Sequence, residues 1–324
     1  MAEEILNPEV NIEPEVNEDE LFFVVDNNLT DSEKIDAPRY SYWKSVLRSF
    51  FRNKGNIITI AILFVILALA YIQPLFSDFE RMGNVEGELS YPPFKSWKYI
   101  FGTDRYGNNI WAATWAGTQF SMTLAFVATG INMTLGILVG ALWGYSKVCD
   151  KIFTEVYNII ANVPSLVVTL IIMYSFTEWD NYFWKLILAF SLTGWLGIGY
   201  SFRTQVIIIR DRDYNLASRC LGTGVFRMII HNILPFLVSI IVTYITNYLP
   251  SFIGQEVFLA YIGINIPGDI SSLGTAINNG IKYISDPEYM HTFWIPVAVS
   301  AIVTITLYVA GQGLADASDP KNHR

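Results

Sequence analysis

The chain has 324 residues, of which 52% are hydrophobic and only 15% charged. A soluble domain of this size needs more surface charge, and several apolar runs reach the roughly 20 residues that cross a bilayer, so a soluble globular protein is excluded. The formal net charge of −8 conceals an asymmetry: residues 1–38 hold twelve acids against Lys34 alone, and the chain from Arg39 onward is +3.

Residues 1–38 are poor in periodic apolar positions and are expected to form a largely disordered cytoplasmic tail. Its apolar patch LFFVV, residues 21–25, is either an incidental cluster or a strand that docks on a partner. The acidic start and the missing cleavage site rule out a signal peptide. Residues 39–55 mix aromatic and basic groups and are expected to lie as a helix in the interface, with Trp43 and Phe50 toward lipid and Lys44 and Arg48 toward head groups. The alternative is a plain basic flank to the first span.

Six spans follow, at about 56–76, 119–145, 152–176, 182–208, 232–262 and 291–313. Their apolar runs are continuous rather than alternating, which points to helices and not to a barrel. The first span and a long extracellular loop occupy 56–118, the core transmembrane domain 119–314, and a cytoplasmic C-terminal tail 315–324. In the second span Gly136, Gly140 and Gly144 recur every four residues and form a helix-packing groove, by default within the chain. Pro164 is expected to kink the third span and to free a carbonyl that needs another partner.

Orientation follows from Lys and Arg. With both termini cytoplasmic, fifteen of these residues lie on the inner side and six on the outer. Cys149 and Cys220 then both face the cytoplasm, where no disulfide framework is implied. His231, His291 and His323 are scattered without zinc-ligand spacing. The sequence has no phosphate-binding Gly-Lys-Ser/Thr loop, no His-Glu-x-x-His and no Gly-x-Ser-x-Gly. Few ionisable groups lie in the spans; Glu155 and Glu256 sit near their ends. A carrier driven by an ion gradient needs more, so the energy for any uphill transport comes from elsewhere.

Between spans four and five stands a polar insert, DYNLASRCLGTGVFRMIIHNILP, residues 213–235. Residues 211–221 are expected to form a short helix with Asp213 as its N-cap, ended by Gly222 in a left-handed turn. A second short helix, about 225–231, runs toward Pro235. Such a helix-turn-helix is a rigid knob able to pass a push from a partner into the spans.

Ala217-Ser218-x-x-x-Gly222 followed by Ile233-Leu234-Pro235 resembles the signature loop of ATP-binding-cassette (ABC) importer permeases, with Leu216 and Ser218 where that loop has Glu and a second Ala. FGTDRYGNNIW, 101–111, is similar to the stretch before the second span in C-type subunits of dipeptide and oligopeptide permeases. Gly102, Thr103, Asp104 and Gly107 match it, Asn108 and Asn109 replace its Arg-Asp, and Gly117 and Ser121 fit downstream. EVFLAYIG, from Glu256 to Gly263, and GQGLADASDP, with Asp316, Asp319 and Pro320, complete the resemblance over about residues 40–324.

The resemblance implies an all-α membrane protein of the type I ABC importer permease fold in a bacterial cell membrane. It implies a non-catalytic subunit that lines, with a homologous second permease, a path for di- or oligopeptides delivered by an extracellular binding protein. Two ATPase subunits would bind ATP and Mg and dock on the cytoplasmic loops; this chain itself would hold no cofactor, metal or nucleic acid. The docking stretch is Ala217, Ser218, Arg219, Gly222, Thr223, Gly224 and Arg227. Arg219 and Arg227 either pair with ATPase carboxylates or serve as inner-side charges at the lipid head groups. Glu256 either faces a path or holds a span end, and Asp104 caps the segment after it. Outside this reading stand a self-sufficient carrier or channel, and, within the family, a nickel or sugar importer.

Overall fold

The computed structural model describes residues 41–76, 91–95, 97, 99–176, 179, 181–264 and 271–319. The acidic tail at 1–38, residues 77–90 of the long loop and Pro320 lie outside the described residues. The described elements are helices: α1 (Tyr42–Arg52), α2 (Lys54–Phe76), α3 (Ile110–Tyr145), α4 (Lys147–Ala161), α5 (Ser165–Ser175), α6 (Tyr182–Arg210), α7 (Asp213–Cys220), α8 (Val225–Arg227), α9 (Val238–Tyr261), α10 (Leu273–Ile281) and α11 (His291–Ser318). A π-helical turn, Met228–Ile233, and a 3-10 turn, Leu234–Leu237, join α8 to α9.

Five of these stretches are long and apolar enough to cross a membrane alone: α2, α3, α6, residues 225–261 and α11. The expected third span is instead a bent pair, α4 and α5, which meet at 77° and pass the same test only when taken together. Pro164 causes the break. It has no N–H to continue a helix and disfavours helical geometry at Val163. The carbonyl it frees, Ile160 O, instead takes the Val163 N–H at 2.9 Å.

Helix α2 is apolar all round and buries only Asn56, Ile66 and Ala70, leaving Ile58, Phe64, Leu75 and Phe76 on the outside. Such a helix meets lipid, where it meets its backbone hydrogen-bonding needs internally. Helix α3 is the opposite case and is the axis of the bundle, packed on α2, α6, α9 and α10. Its glycine row faces α6. A Cβ at Gly136 would stand 2.5 Å from Ile198 Cγ2, at Gly140 2.5 Å from Gly199 O, and at Gly144 2.6 Å from Arg203 O. The groove is thus filled from within the chain. One turn before the row, Asn132 Nδ2 bonds Ala128 O at 2.7 Å and Ser191 Oγ on α6 at 3.2 Å.

Two helix ends and the facing of one side chain differ from the sequence reading. Span two begins at Ile110 rather than 119, because the Asn109 side chain caps it by accepting the Trp111 N–H at 3.0 Å. Span six continues to Ser318, so Asp316 belongs to α11 and not to a separate tail. In α1, Trp43 is 58% exposed as expected, but Phe50 is 3% exposed and packs with Val46 against Ala317 of α11. Phe50 therefore does not face lipid; Leu47 and Phe51 share the exposed apolar side with Trp43.

Gly140→Ala forces a shift of the Gly199 backbone and is expected to destabilise the detergent-solubilised chain by about 1–3 kcal/mol. Gly130, on the same helix, has nothing within 4 Å of its missing Cβ, so Gly130→Ala is expected to be neutral or stabilising by up to about 1 kcal/mol. Thermal unfolding of the two variants checks this; equal effects would remove the packing account.

Candidate functional site

Two constructed regions stand at opposite ends of α3, which at 36 residues is about 54 Å long. The first is the insert between α6 and α9. Helix α7 starts at Asp213, with Arg212 rather than Asp213 in the N-cap position and no side-chain cap bond. Asp213 instead sits in the first turn, where a carboxylate favours the positive end of the helix dipole. Cys220 ends the helix. Gly222 follows with φ +81°, a conformation a side chain strongly disfavours, and its N–H bonds Arg219 O at 2.9 Å.

The expected second helix of the insert is α-helical only over Val225–Arg227 and then widens into the π turn. Pro235 is the physical reason. Its missing N–H and its ring block a continuous α-helix through His231 O, so the pitch changes before and at the proline.

The knob is more apolar on its surface than its charge suggests. Leu221 is 87% and Phe226 71% exposed, with Tyr214, Leu216, Val225 and Ile230 also outside. Ala217, Arg219, Cys220, Gly222, Gly224 and Arg227 share this exposed surface. Ser218 and Thr223 are partly buried and bond each other at 2.9 Å through their hydroxyls. Arg219 reaches Asp211 at 3.8 Å, with both side chains about half exposed, a weak pair. The Asp211 carboxyl is held below the usual carboxylate range chiefly by its hydrogen bond from Arg210. Arg210 also donates to Gly144 O at 2.9 Å and Tyr145 O at 3.3 Å, tying the root of the knob to the end of α3.

The second region gathers the stretch at 101–109 and Glu256. Gly102 has φ +78°, and a Cβ there would stand 2.6 Å from Tyr91 O and 2.9 Å from His291 Nε2. Thr103 N bonds Tyr91 O at 3.0 Å, while Thr103 O meets His291 Nε2 at 3.0 Å, fixing the loop to the start of α11. Asp104 Oδ1 accepts the Tyr106 and Asn108 N–H groups at 2.8 Å each, and Oδ2 accepts Asn108 Nδ2 at 2.7 Å. Asp104 thus closes the turn that includes Gly107, and Asn108 and Asn109 both serve the fold.

Glu256 is 1% exposed in α9. It accepts Ser121 Oγ of α3 at 2.8 Å and Ser272 Oγ, just before α10, at 2.5 Å, with the Gly274 backbone a further partner. Gly117 lets α3 approach here, since a Cβ would stand 2.7 Å from the Ser272 backbone. A buried carboxylate so paired joins three helices. Gly263 (φ +86°) ends α9. Asp316 and Asp319 join neither region and sit beside Ser318, whose carbonyl takes the Tyr42 hydroxyl at 2.8 Å. The sequence reading missed Ser272 and Gly274 as partners of Glu256, and Asn215 and Asn232 in the knob.

Among the described residues no cluster of His, Cys, Asp and Glu has a metal-binding arrangement.

The family described as binding-protein-dependent transport system inner membrane component matches residues 132–324. The N-terminal TM domain of oligopeptide transport permease C matches residues 41–93. The oligopeptide transport system permease protein AmiD of Streptococcus pneumoniae is 41% identical over 298 residues, 90% of this chain and 94% of that protein. The oligopeptide permease protein OppC and the dipeptide permease protein DppC, both of Bacillus subtilis, are 29% and 28% identical, each covering 94% of its own length and 91% and 94% of this chain.

Glu256→Ala leaves two serine hydroxyls and a backbone N–H without their acceptor, and a loss of about 3 kcal/mol is expected. Glu256→Gln keeps the shape and one acceptor oxygen and is expected to lose less. Thermal unfolding in detergent ranks them; a Glu256→Ala variant as stable as the parent would contradict a structural role.

Proposed function

The chain belongs to the binding-protein-dependent transport system inner membrane components, and we propose that its insert at 211–237 is the surface on which the ATPase of a peptide importer docks. It is a multi-pass membrane permease subunit of an ATP-driven importer, non-catalytic in itself, working with ATPase and binding-protein partners. The cargo is di- or oligopeptide, the class named for the relatives along nearly the whole chain. The assembly has a second, homologous permease and two ATPases, which bind ATP and Mg; this chain holds no cofactor.

The observation that carries the docking assignment is the exposed apolar knob. Leu221, Phe226, Ile230 and Leu216 project where the chain turns between α6 and α9, around the small, exposed Ala217. An apolar patch of this kind on a turn marks a protein contact. It shares its end of the bundle with Lys44, Arg48, Arg52, Lys147, Arg210, Arg212 and Arg227, a concentration of positive charge that favours the cytoplasmic side. Helix α1 lies there in the interface, with its exposed apolar side toward lipid. The opposite end, with the 91–109 loop and α10, is then the outer face that receives the binding protein.

Ala217→Trp is the clean test, since Ser218 is bonded within the knob and its replacement would also disturb the fold. The variant is expected to insert normally, to lose co-purifying ATPase and to lose peptide uptake by about 100-fold or more, the scale of removing a buried interface anchor. A complex that assembles and transports like the parent would contradict the docking surface.

A further inference from the structure

Asn215 is fully buried in a helix that, apart from the half-buried Ser218, is exposed. Its Nδ2 donates to Ile209 O, at the end of α6, at 2.8 Å. Ile209 O can only accept, so the amide must turn its NH2 group there, which leaves Oδ1 pointing at the π turn. Oδ1 accepts Asn232 Nδ2 at 3.2 Å. The same Asn232 amide also reaches Ser218 Oγ at 3.4 Å, and Ser218 bonds Thr223 across the Gly222 turn at 2.9 Å. One hydrogen-bonded chain therefore links the last turn of α6, both ends of the knob and the helix leading into α9.

The neighbourhood gives this chain a mechanical setting. Met228, Ile229 and Ile233 pack on Val206 and Ile209 beside it; Asn215 is buried there, while Asn232, Ser218 and Thr223 are half-buried. Immediately beyond Asn232 the backbone changes from π to 3-10 pitch at Pro235, a place where helices bend. Besides this tie the knob meets the lead-in to α9 through Tyr214 against Phe236, ring centroids 5.8 Å apart, and joins α6 by the short link at Asp211 and Arg212. From this geometry we infer that Asn215 and Asn232 are positioning residues for transport: they clasp the knob to α6 and to α9 at once, so that a displacement of the knob moves both spans instead of bending the π turn. Asn215 is buried beneath the exposed surface around Ala217, and Asn232 meets the edge of that surface through Ser218. The inference rests on the reading of the knob as the ATPase-docking surface.

The test uses the assembled importer in liposomes and a radiolabelled mixed-sequence pentapeptide library as cargo. In Asn215→Ala the ATPases are expected to stay bound and to hydrolyse ATP, while peptide moved per ATP falls by about fivefold or more. Asn232→Ala keeps the bond from Asn215 to α6 and is expected to give a similar fall, and the double variant little more than either single one. If Asn215→Ala does not assemble, Asn232→Ala decides by the same readings. An unchanged ratio of transport to hydrolysis, or loss of the ATPases from Asn232→Ala, overturns the clasp. Failure of the docking reading appears separately, as an Ala217→Trp importer that keeps its ATPases.

Discussion

The rest of the structure hangs on the backbone contact between α3 and α6. Three glycines on α3 let the α6 backbone approach until a single methyl group would collide with it. Lipid tails are as apolar as leucine, so helices in a bilayer are held by close packing and interhelical hydrogen bonds rather than by escape from water. The glycine row supplies the first, and Asn132 with Ser191 supplies the second. The pair behaves as one beam, and the two constructed regions are attached to its ends.

At one end Glu256 is the fastening. Its carboxylate gathers α3, α9 and the start of α10, while Gly102, Thr103 and His291 bind the preceding loop to α11. At the other end Arg210 fastens the root of the knob to the last carbonyls of α3, and Arg203 does the same for α4 through Asp150 and the faces of Trp143 and Tyr200. A push delivered at the knob thus meets a stiff lever. The backbone leaves α-helical geometry elsewhere, at the 77° break before Pro164 and at the change of pitch before Pro235.

Much of this was legible in the sequence because its causes are local. Continuous apolar runs, prolines, glycines at fixed spacing and the polar insert act on their own neighbours, and they gave the spans, the break at Pro164 and the turn at Gly222. What escaped was set by residues distant in the chain. Phe50 reads as a lipid-facing aromatic until Ala317 is brought beside it. Glu256 reads as an ambiguous charge until Ser121 and Ser272 arrive from other helices. Asn215 and Asn232 look like ordinary surface amides in a polar loop until the fold brings them to Ile209 O and to each other. The start of α3 was misjudged because the motif at 101–109 itself caps the helix through Asn109. Asp213 failed as a cap because Arg212 already has the extended backbone that position requires.

The most direct measurement is cross-linking from the knob itself in native membranes. Cys220 is exposed on α7, beside Ala217 in the turn. With Cys149 replaced by Ser, a photoreactive reagent on Cys220 is expected to attach chiefly to a P-loop ATPase, identified by mass spectrometry, and the yield should change when ATP is added. Cross-links to lipid alone, or to this chain alone, in membranes that still take up peptide would contradict docking at α7.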